Sequence, residues 1–324
     1  MILALDAMGS DLGPSAVIEP VKQFVKDFDT DIWVYGDEKA LSALKDVPRV
    51  TVIPTTEVME MEDGPLAVRR KKDSSMVRAV NDLKDGKVDG VVSSGSTGAL
   101  LSAGSMLVKT VPSVERAGIL SPIPSKTGRP FVLLDMGANA SCTPEQLVNF
   151  AYIGKSYMRG NYGIENPRVA LLNIGTEPHK GDELRQETYK LLSEAEGINF
   201  IGNIEANRIY DGKADVVVAD GFSGNVCEKA IEGTASFMMK TMKDTLMNSG
   251  LLTKIGALMI KKSLKKMKDV LDPNQFGGAL IAGLNAPIVK AHGNSNEKAY
   301  YNALRQLYRT VKEDVVGKVK SELQ

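Results

Sequence analysis

Six short stretches of the chain combine glycine with serine, threonine, asparagine or aspartate directly after apolar, β-branched runs. Such residues can hold an anion, because glycine lets the backbone approach a ligand and the first N–H groups of a following helix are unpaired. Ordinary turns use the same residues, so one stretch alone carries no functional meaning. The six stretches are residues 6–14, 93–98, 135–139, 173–181, 220–225 and 292–296.

The stretch at 93–98 has the clearest pattern. It follows the apolar run 88–92 and precedes an Ala/Leu-rich helical sequence, which gives the order strand, small-residue turn, helix. The positive end of that helix would attract a phosphate group. The alternative is a turn with an ordinary Ser or Thr cap. The predicted phosphate-binding residues, taken from this and neighbouring stretches, are Ser94, Gly95, Ser96, Thr97, Gly98, Asn139, His292 and Asn294.

Common catalytic motifs are absent from the sequence. There is no GxSxG elbow, P-loop, HExxH pair or GxGxxG loop, so neither a serine hydrolase nor a dinucleotide site has positive support. Cys142 and Cys227 lie near predicted helix starts, where a thiolate can be stabilised. Buried cysteines usually pack as small hydrophobes, and we do not expect a covalent cysteine mechanism.

The elements that must position these stretches alternate between strands and helices. This alternation predicts an α/β protein of three layers, α/β/α, with a doubly wound and mostly parallel sheet. Ligands of such sheets lie beyond the carboxyl ends of the strands, so we expect all six stretches to meet at one edge. The predicted strands are 2–5, 32–35, 50–53, 88–92, 131–134, 168–172, 215–219, 278–282 and 288–291.

The overall composition is that of a globular cytoplasmic protein. Forty acidic residues balance forty basic ones in 324 residues, which gives no general field for nucleic acid. Two cysteines without a CxxC pair argue against a disulfide scaffold or a zinc site, and we expect no metal and no cofactor. No signal peptide or membrane span is expected. We predict a single catalytic domain, 1–324, with a division into two lobes near 158–167 as an alternative.

Two charged regions suggest partners. Arg69, Arg70, Lys71, Lys72 and Arg78 form a basic cluster that could dock an acidic protein, although a solvated helix face has the same pattern.

Residues 245–272 are predicted to form a basic amphipathic helical region, with no acid between Thr245 and Lys268. Such a region can lie on an anionic membrane surface; a dimer interface or a core-facing helix is the alternative. The residues predicted to contact the membrane are Leu251, Leu252, Ile255, Leu258, Met259, Lys261 and Lys265.

Six motifs together resemble the bacterial phosphate acyltransferase family. They are DAMGSDLGP at 6–14, SSGSTGAL at 93–100, LDMGAN at 134–139, LNIGTEPHKG at 172–181, ADGFSGNV at 219–226 and LNAPIVKAHGNS at 284–295. The chain departs from the family pattern at Ser10, where a glycine is usual, and at Ser94-Gly95-Ser96, where Ala-Gly-Asn is frequent. Both changes keep small residues in place.

The resemblance implies an enzyme that transfers a fatty acyl group from acyl carrier protein to inorganic phosphate for phospholipid synthesis. It further implies a fold like the phosphotransacetylases and isocitrate dehydrogenases, and a homodimer. The acyl phosphate product would pass to a glycerol-3-phosphate acyltransferase of the membrane, which suggests a peripheral position at the inner face of the plasma membrane.

The chemistry of this reaction fits the residues. Phosphate is itself a nucleophile, so the protein must mainly position it against a thioester carbonyl and stabilise the oxyanion that develops. We predict that Lys180 supplies positive charge, with His179 orienting it or donating, and that Asn225 is a further oxyanion donor.

Two other functions remain open at this point. One is a metal- and nicotinamide-dependent decarboxylating dehydrogenase of the same architecture, in which Asp6, Asp135 and Asp220 would hold Mg²⁺. The other is a phosphate or lipid-intermediate binder without catalysis.

Overall fold

The computed structural model describes residues 1–264 and 277–323. Its centre is an 11-stranded sheet in the order β3-β2-β1-β4-β11-β10-β5-β6-β9-β7-β8. The strands are β1 (Ile2–Asp6), β2 (Asp31–Gly36), β3 (Val50–Pro54), β4 (Gly90–Ser93), β5 (Gly118–Ile123), β6 (Phe131–Leu134), β7 (Arg168–Asn173), β8 (Asn199–Glu205), β9 (Val216–Val218), β10 (Ala279–Ala282) and β11 (Ile288–Lys290).

Helices cover both faces of this sheet, and several begin at capping residues that the sequence makes recognisable. Thr143 accepts from the backbone N–H of Gln146, whose side chain accepts in return from Thr143, a capping box. The helices are α1 (Ile18–Asp27), α2 (Ala67–Arg70), α3 (Ser75–Lys84), α4 (Thr97–Ala103), α5 (Pro144–Tyr162), α6 (Glu183–Glu194), α7 (Gly221–Asn248), α8 (Leu251–Met259), α9 (Glu297–Lys312) and α10 (Val315–Glu322).

Two apolar cores, one on each side of the sheet, make the three layers. One core contains Phe24, Phe150 and Leu307 from α1, α5 and α9. The other contains Met76 and Leu100 from α3 and α4. Central strands such as β6 are buried along their whole length, which is why they appear in the sequence as continuous apolar runs. The predicted fold class is confirmed.

The sequence prediction missed two strands, β5 and β8. The sequence of β5, Gly-Ile-Leu-Ser-Pro-Ile, contains Pro122, which argues against an interior strand. The proline is tolerated because β10 pairs with β5 only as far as Leu120, so no hydrogen bond of that ladder is lost. β8 is the last strand of the sheet, and Gly202 and Asn203 interrupt its apolar residues, so it lacks the apolar run of a buried strand.

Strand direction reverses in the middle of the sheet. β1, β4 and β11 run parallel to one another. Three antiparallel pairs then follow across the sheet: β11 with β10, β10 with β5, and β5 with β6. β6, β9 and β7 are then parallel to one another and point opposite to β1. The carboxyl ends of the two halves therefore lie at opposite edges.

The prediction that all six small-residue stretches meet at one edge is therefore wrong. Stretches 6–14, 93–98 and 292–296 follow β1, β4 and β11, and we call their edge the first edge. Stretches 135–139, 173–181 and 220–225 follow β6, β7 and β9 at the opposite, second edge.

Residues 158–167 join the end of α5 to the start of β7, within a protein whose sheet is continuous. The division into two lobes there stays a prediction. None of the helices in residues 1–264 and 277–323 is both long enough and apolar enough to cross a membrane.

Candidate functional site

Asp6 organises the base of the first edge. Its buried carboxylate accepts hydrogen bonds from Ser75 Oγ at 2.6 Å, from Ser93 Oγ at 2.7 Å and from the backbone N–H of Met8 at 3.1 Å. Ser93 Oγ in turn accepts from the N–H of Gly95 at 3.2 Å. One carboxylate thus ties the ends of β1 and β4 to the start of α3.

Lys290, Ser94 and Tyr300 lie beside that carboxylate. The Lys290 ammonium donates to the carbonyl oxygens of Ser94, at 3.1 Å, and of Ala291. The hydroxyls of Ser94 and Tyr300 are 2.6 Å apart. Ser295, also in this region, has a buried hydroxyl without a hydrogen-bond partner among the described residues. The first edge therefore offers an amine and hydroxyls in a confined, polar space.

The sequence prediction missed Lys290 and Tyr300 as site residues. A signal existed for Lys290, which is a single charge between the apolar residues of β11 and Ala291. Tyr300 gave no such signal, since it lies in the first turns of an amphipathic helix, where an aromatic residue usually packs in the core.

Burial lowers the pKa of Lys290 to about 8 from 10.5, while the charges of Asp6 and Asp11 act in the opposite direction. Between pH 8 and 10.5 the Lys290 amine is protonated in the unfolded chain but mostly unprotonated in the folded protein. Lys290 therefore makes the free energy of unfolding rise with pH over this range. The free energy of unfolding of the wild type minus that of Lys290→Met should increase between pH 8 and 10.5. Urea unfolding across this range measures it, and a constant difference would contradict the expectation.

Close backbone packing shapes the loop at 93–98. A β-carbon on Gly9 would lie 2.5 Å from the α-carbon of Gly95, so the loop after β1 needs glycine at position 9 to approach the 93–98 loop this closely. Ser94, Gly95 and Ser96 are buried, whereas Thr97 and Gly98 are exposed. His292 and Asn294 are exposed at the same edge. Of the predicted phosphate ligands, only Asn139 lies elsewhere, at the second edge.

Asp135 organises the second edge as Asp6 does the first. Its fully buried carboxylate accepts from the backbone N–H groups of Ile119 (2.9 Å), Gly137 (3.1 Å), Ala138 (3.0 Å) and Asn139 (2.8 Å). The side-chain amide of Asn139 donates to Asp135 at 2.9 Å and to Ala117 O at 2.8 Å. The side-chain amide of Asn139 therefore stabilises the loop through these two hydrogen bonds. Its predicted role as a phosphate ligand has no geometric support.

A second buried carboxylate, Asp220, begins α7. Asp220 accepts from the N–H of Ser223 at 2.9 Å and pairs with the Arg185 guanidinium, which also donates to Ser223 Oγ at 2.7 Å. Gly224, one turn into the helix, packs so tightly on the carbonyl of Asp135 that a β-carbon could not fit. These contacts fix the first turn of α7, and with it Asn225.

Asn225 and Lys180 follow neighbouring strands, β9 and β7. Asn225 Nδ2 makes a long contact of 3.4 Å with Met136 O. The backbone of Lys180 is held by Asn173, whose Nδ2 donates to Lys180 O at 3.0 Å, and its methylene groups cover Gly175. The ammonium of Lys180 enters no ion pair or hydrogen bond with other described residues, so it is available to a substrate.

His179 is exposed at the same loop, and its carbonyl accepts from Gln186 Nε2 at 3.0 Å. The structure thus brings the three predicted catalytic residues, Lys180, His179 and Asn225, to one edge. It places them away from residues 94–98, at the opposite edge.

Neither cysteine is suited to be a nucleophile. Burial raises the pKa of the Cys142 and Cys227 thiols, and the nearby charges of Asp135 and Glu228 add to the effect. Both thiols stay protonated near neutral pH, which agrees with the expectation of no covalent cysteine mechanism.

The aspartates proposed for the dehydrogenase alternative do not form a cluster. Asp6 lies at the first edge, while Asp135 and Asp220 lie at the second, each bonded to amide or guanidinium donors. Within residues 1–264 and 277–323, no group of three or more His, Cys, Asp or Glu side chains is placed to hold a metal ion. The geometry gives that alternative no support.

The architecture is that of the phosphotransacylases. A branched-chain phosphotransacylase from Enterococcus faecalis superimposes with a TM-score of 0.62 over 96% of this chain and 99% of its own, at 16% sequence identity. At that identity the likeness shows the fold alone.

Sequence comparison identifies the family. The model of the family described as fatty acid synthesis protein matches residues 1–318, and the chain belongs to this family. A protein from Streptococcus thermophilus named phosphate acyltransferase is 47% identical over 97% of this chain and 95% of its own length. A Streptococcus pneumoniae protein of the same name is 46% identical over 99% and 98%. The resemblance drawn from the six motifs is confirmed.

Proposed function

We propose that the protein transfers a fatty acyl group from the thioester of acyl carrier protein to inorganic phosphate. A phosphate oxygen forms a bond to the thioester carbonyl carbon, giving a tetrahedral oxyanion. The carbon–sulfur bond then breaks, the electron pair leaves on sulfur, and the proton of hydrogen phosphate passes to the thiolate. The products are acyl phosphate and the free thiol of the carrier.

One observation carries this proposal: the chain is 46–47% identical, over nearly its full length, to proteins named phosphate acyltransferase. The geometry supports it, because the reaction needs positioning and charge stabilisation rather than a protein nucleophile. Lys180 provides an ammonium that has no partner among the described residues. Asn225 provides an amide for the oxyanion, with His179 beside them. Phosphate binds at the first edge, between residues 94–98 and His292 and Asn294. Because Lys180 and Asn225 lie at the opposite edge of the same chain, the two sets meet between the protomers of the homodimer that the family resemblance implies.

The test measures the rate at which free thiol is released from an acyl carrier protein thioester, with and without phosphate. Phosphate-dependent thiol release, with acyl phosphate trapped as its hydroxamate, supports the proposal. Saturable phosphate binding without thiol release would instead favour the non-catalytic binder. Turnover that appears only with a nicotinamide nucleotide and a metal would favour the dehydrogenase.

We propose that acyl carrier protein docks on three exposed basic residues at the end of α2 and just after it, Arg69, Arg70 and Lys72. Lys71 and Arg78 contribute less than the sequence suggests, because Lys71 pairs with Asp63 and Arg78 with Asp73. α2 packs on α4, so docking there brings the carrier to the first edge.

The double variant Arg69→Glu/Arg70→Glu should raise the KM for acyl carrier protein about tenfold, since charge reversal weakens steered association. The effect should shrink as salt is added, while turnover at saturation stays unchanged. The control is Lys190→Glu/Lys213→Glu. It makes the same charge change at two exposed lysines, which lie beside the other half of the sheet. Equal KM values for both pairs would dismiss the docking site.

We propose that α8 contacts an anionic membrane surface. Leu252, Ile255, Leu258 and Met259 are all exposed, as is Lys261. Leu251 begins the helix, and Lys265 lies outside the described residues. Such a contact would place the protein peripherally at the inner face of the plasma membrane, where a glycerol-3-phosphate acyltransferase could take up the acyl phosphate.

Leu258→Glu should reduce binding to phosphatidylglycerol vesicles about tenfold or more, because inserting one large apolar side chain is worth roughly 1.5–3 kcal/mol. Vesicle flotation measures the bound fraction. Ile201→Glu makes the same change at an exposed apolar residue on the edge strand β8 and should bind like the wild type. Undiminished flotation of Leu258→Glu would remove α8 from the membrane contact.

A further inference from the structure

Lys290 brings a positive charge into the first edge without a counter-ion. Among the described residues its ammonium donates to two neutral acceptors, the carbonyl oxygens of Ser94, at 3.1 Å, and of Ala291. It forms no ion pair with a carboxylate of residues 1–264 or 277–323. An ammonium has three N–H donors, so one of them is left for a ligand.

Two other cations that enter the interior of this protein are paired with carboxylates. Lys155, which is buried, pairs with Glu322 at 2.6 Å. Arg185 pairs with the buried carboxylate of Asp220. Taking a charge out of water is costly unless an opposite charge compensates it. Lys290 lacks that compensation, and a bound anion would supply it.

The position of Lys290 in the sheet fixes its side chain beside the 93–98 loop. Lys290 is the last residue of β11 and lies opposite Ser93, the last residue of β4, in their parallel pairing. The N–H of Ala291 donates to Ser93 O at 2.9 Å, so the two chains stay together one residue beyond Lys290. The ammonium is therefore presented to Ser94 from a neighbouring strand end.

Hydroxyl groups lie at the same place. The hydroxyls of Ser94 and Tyr300 are 2.6 Å apart, and a single bond between them leaves one O–H for another acceptor. The buried hydroxyl of Ser295 has no partner among the described residues. Buried hydroxyls normally have a partner. A phosphate anion accepts hydrogen bonds from ammonium and hydroxyl donors alike, and these charge-assisted bonds are strong.

The titratable groups around Lys290 come from three elements. Asp6 ends β1, and Asp11 follows in the next loop; their charges favour the protonated amine. α9 contributes Tyr300, which stays a neutral hydroxyl because burial raises its pKa. His292 is exposed in the loop after β11, while β4, β10 and the loop after β4 contain no titratable side chain. Burial still lowers the pKa of Lys290 to about 8.

We propose that Lys290 is the counter-charge of the phosphate bound at the first edge, and that phosphate binding protonates the Lys290 amine. The anion would accept from the third N–H of Lys290 and from the Ser94–Tyr300 hydroxyl pair, next to residues 94–98. The coupling is reciprocal, since protonation of Lys290 strengthens phosphate binding and bound phosphate stabilises the protonated amine. This inference rests on the proposed acyl transfer, which makes phosphate the substrate.

Calorimetric titration of the whole protein with inorganic phosphate tests the proposal without turnover. At pH 8 about half of the Lys290 amines are protonated in the free protein. In buffers of different ionisation enthalpy, the wild type should therefore take up about half a proton more than Lys290→Arg, which is always charged. Lys290→Met should bind phosphate about 10- to 100-fold more weakly near pH 7, because it lacks one charge-assisted hydrogen bond.

The pH dependence separates a phosphate ligand from a merely structural lysine. The wild-type Kd for phosphate should rise about tenfold per pH unit above pH 8, as Lys290 loses its proton. The Kd of Lys290→Arg should stay nearly constant up to about pH 10, because a guanidinium keeps its charge. Lys298→Met is the matched control, since it removes an exposed lysine from the first turn of α9 and should bind like the wild type.

Three results would overturn the role of Lys290: a wild-type Kd that does not change above pH 8, equal proton uptake by the wild type and Lys290→Arg, or equal weakening in Lys290→Met and Lys298→Met. Proton-linked phosphate binding without acyl phosphate formation would refute the proposed function but leave Lys290 as the counter-charge. Acyl phosphate formation with pH-independent phosphate binding would do the reverse.

Discussion

Lys180→Ala should lower turnover about 100- to 1,000-fold, the range found when one preorganised donor to an oxyanion is removed. The ammonium has no partner among the described residues, so its removal leaves no buried group unpaired and should not change stability. The methylene groups over Gly175 make only a small packing contribution. A steady-state assay of thiol release, with thermal unfolding measured on the same samples, separates the two effects.

The matched control is Lys190→Ala, which removes an exposed lysine from α6, the helix that follows the Lys180 loop. It should keep wild-type turnover. Since Lys180 acts on charge that develops in the transition state, kcat and kcat/KM for phosphate should fall together. A rise in the KM for phosphate with unchanged kcat would make Lys180 a ground-state phosphate ligand, and wild-type kinetics would remove it from the mechanism.

The individual strands could be predicted from the sequence because burial on both faces leaves a local signal. β6 was predicted with its exact bounds, 131–134, and most other strands within one or two residues. Their direction could not be predicted in this way. It depends on β10 and β5 pairing in the middle of the sheet, and the residues that pair, such as Leu280 with Leu120, are far apart in the chain.

The same limit explains what was missed in the candidate site. Glycine and asparagine after apolar runs located the loops, because the local chain geometry requires these residues. The charged partners are contributed from a distance: Arg185 reaches Asp220, and Lys290 reaches Ser94. No spacing in the sequence indicates such pairs. The placement of Lys180 and residues 94–98 at opposite edges likewise follows from topology alone.

Asp135→Ala should lower the free energy of unfolding by about 3–5 kcal/mol, as expected when one member of a buried, charged hydrogen-bond network is removed. Four backbone N–H groups and the Asn139 amide would lose their acceptor in a fully buried place. Asp135 has no exposed surface, so bulk water does not reach these donors in the folded protein. Chemical denaturation at fixed protein concentration measures the loss.

Asp182→Ala is the matched control, since it deletes the same atoms from an exposed cap of α6 and should cost only about 1 kcal/mol. Asp135→Asn should fall between the two, because it keeps the volume and one acceptor oxygen. Since the loop after β6 supports Asn225, the Asp135 variants should lose activity before they unfold. An Asp135→Ala protein as stable as Asp182→Ala would mean that the amides of the loop find other acceptors.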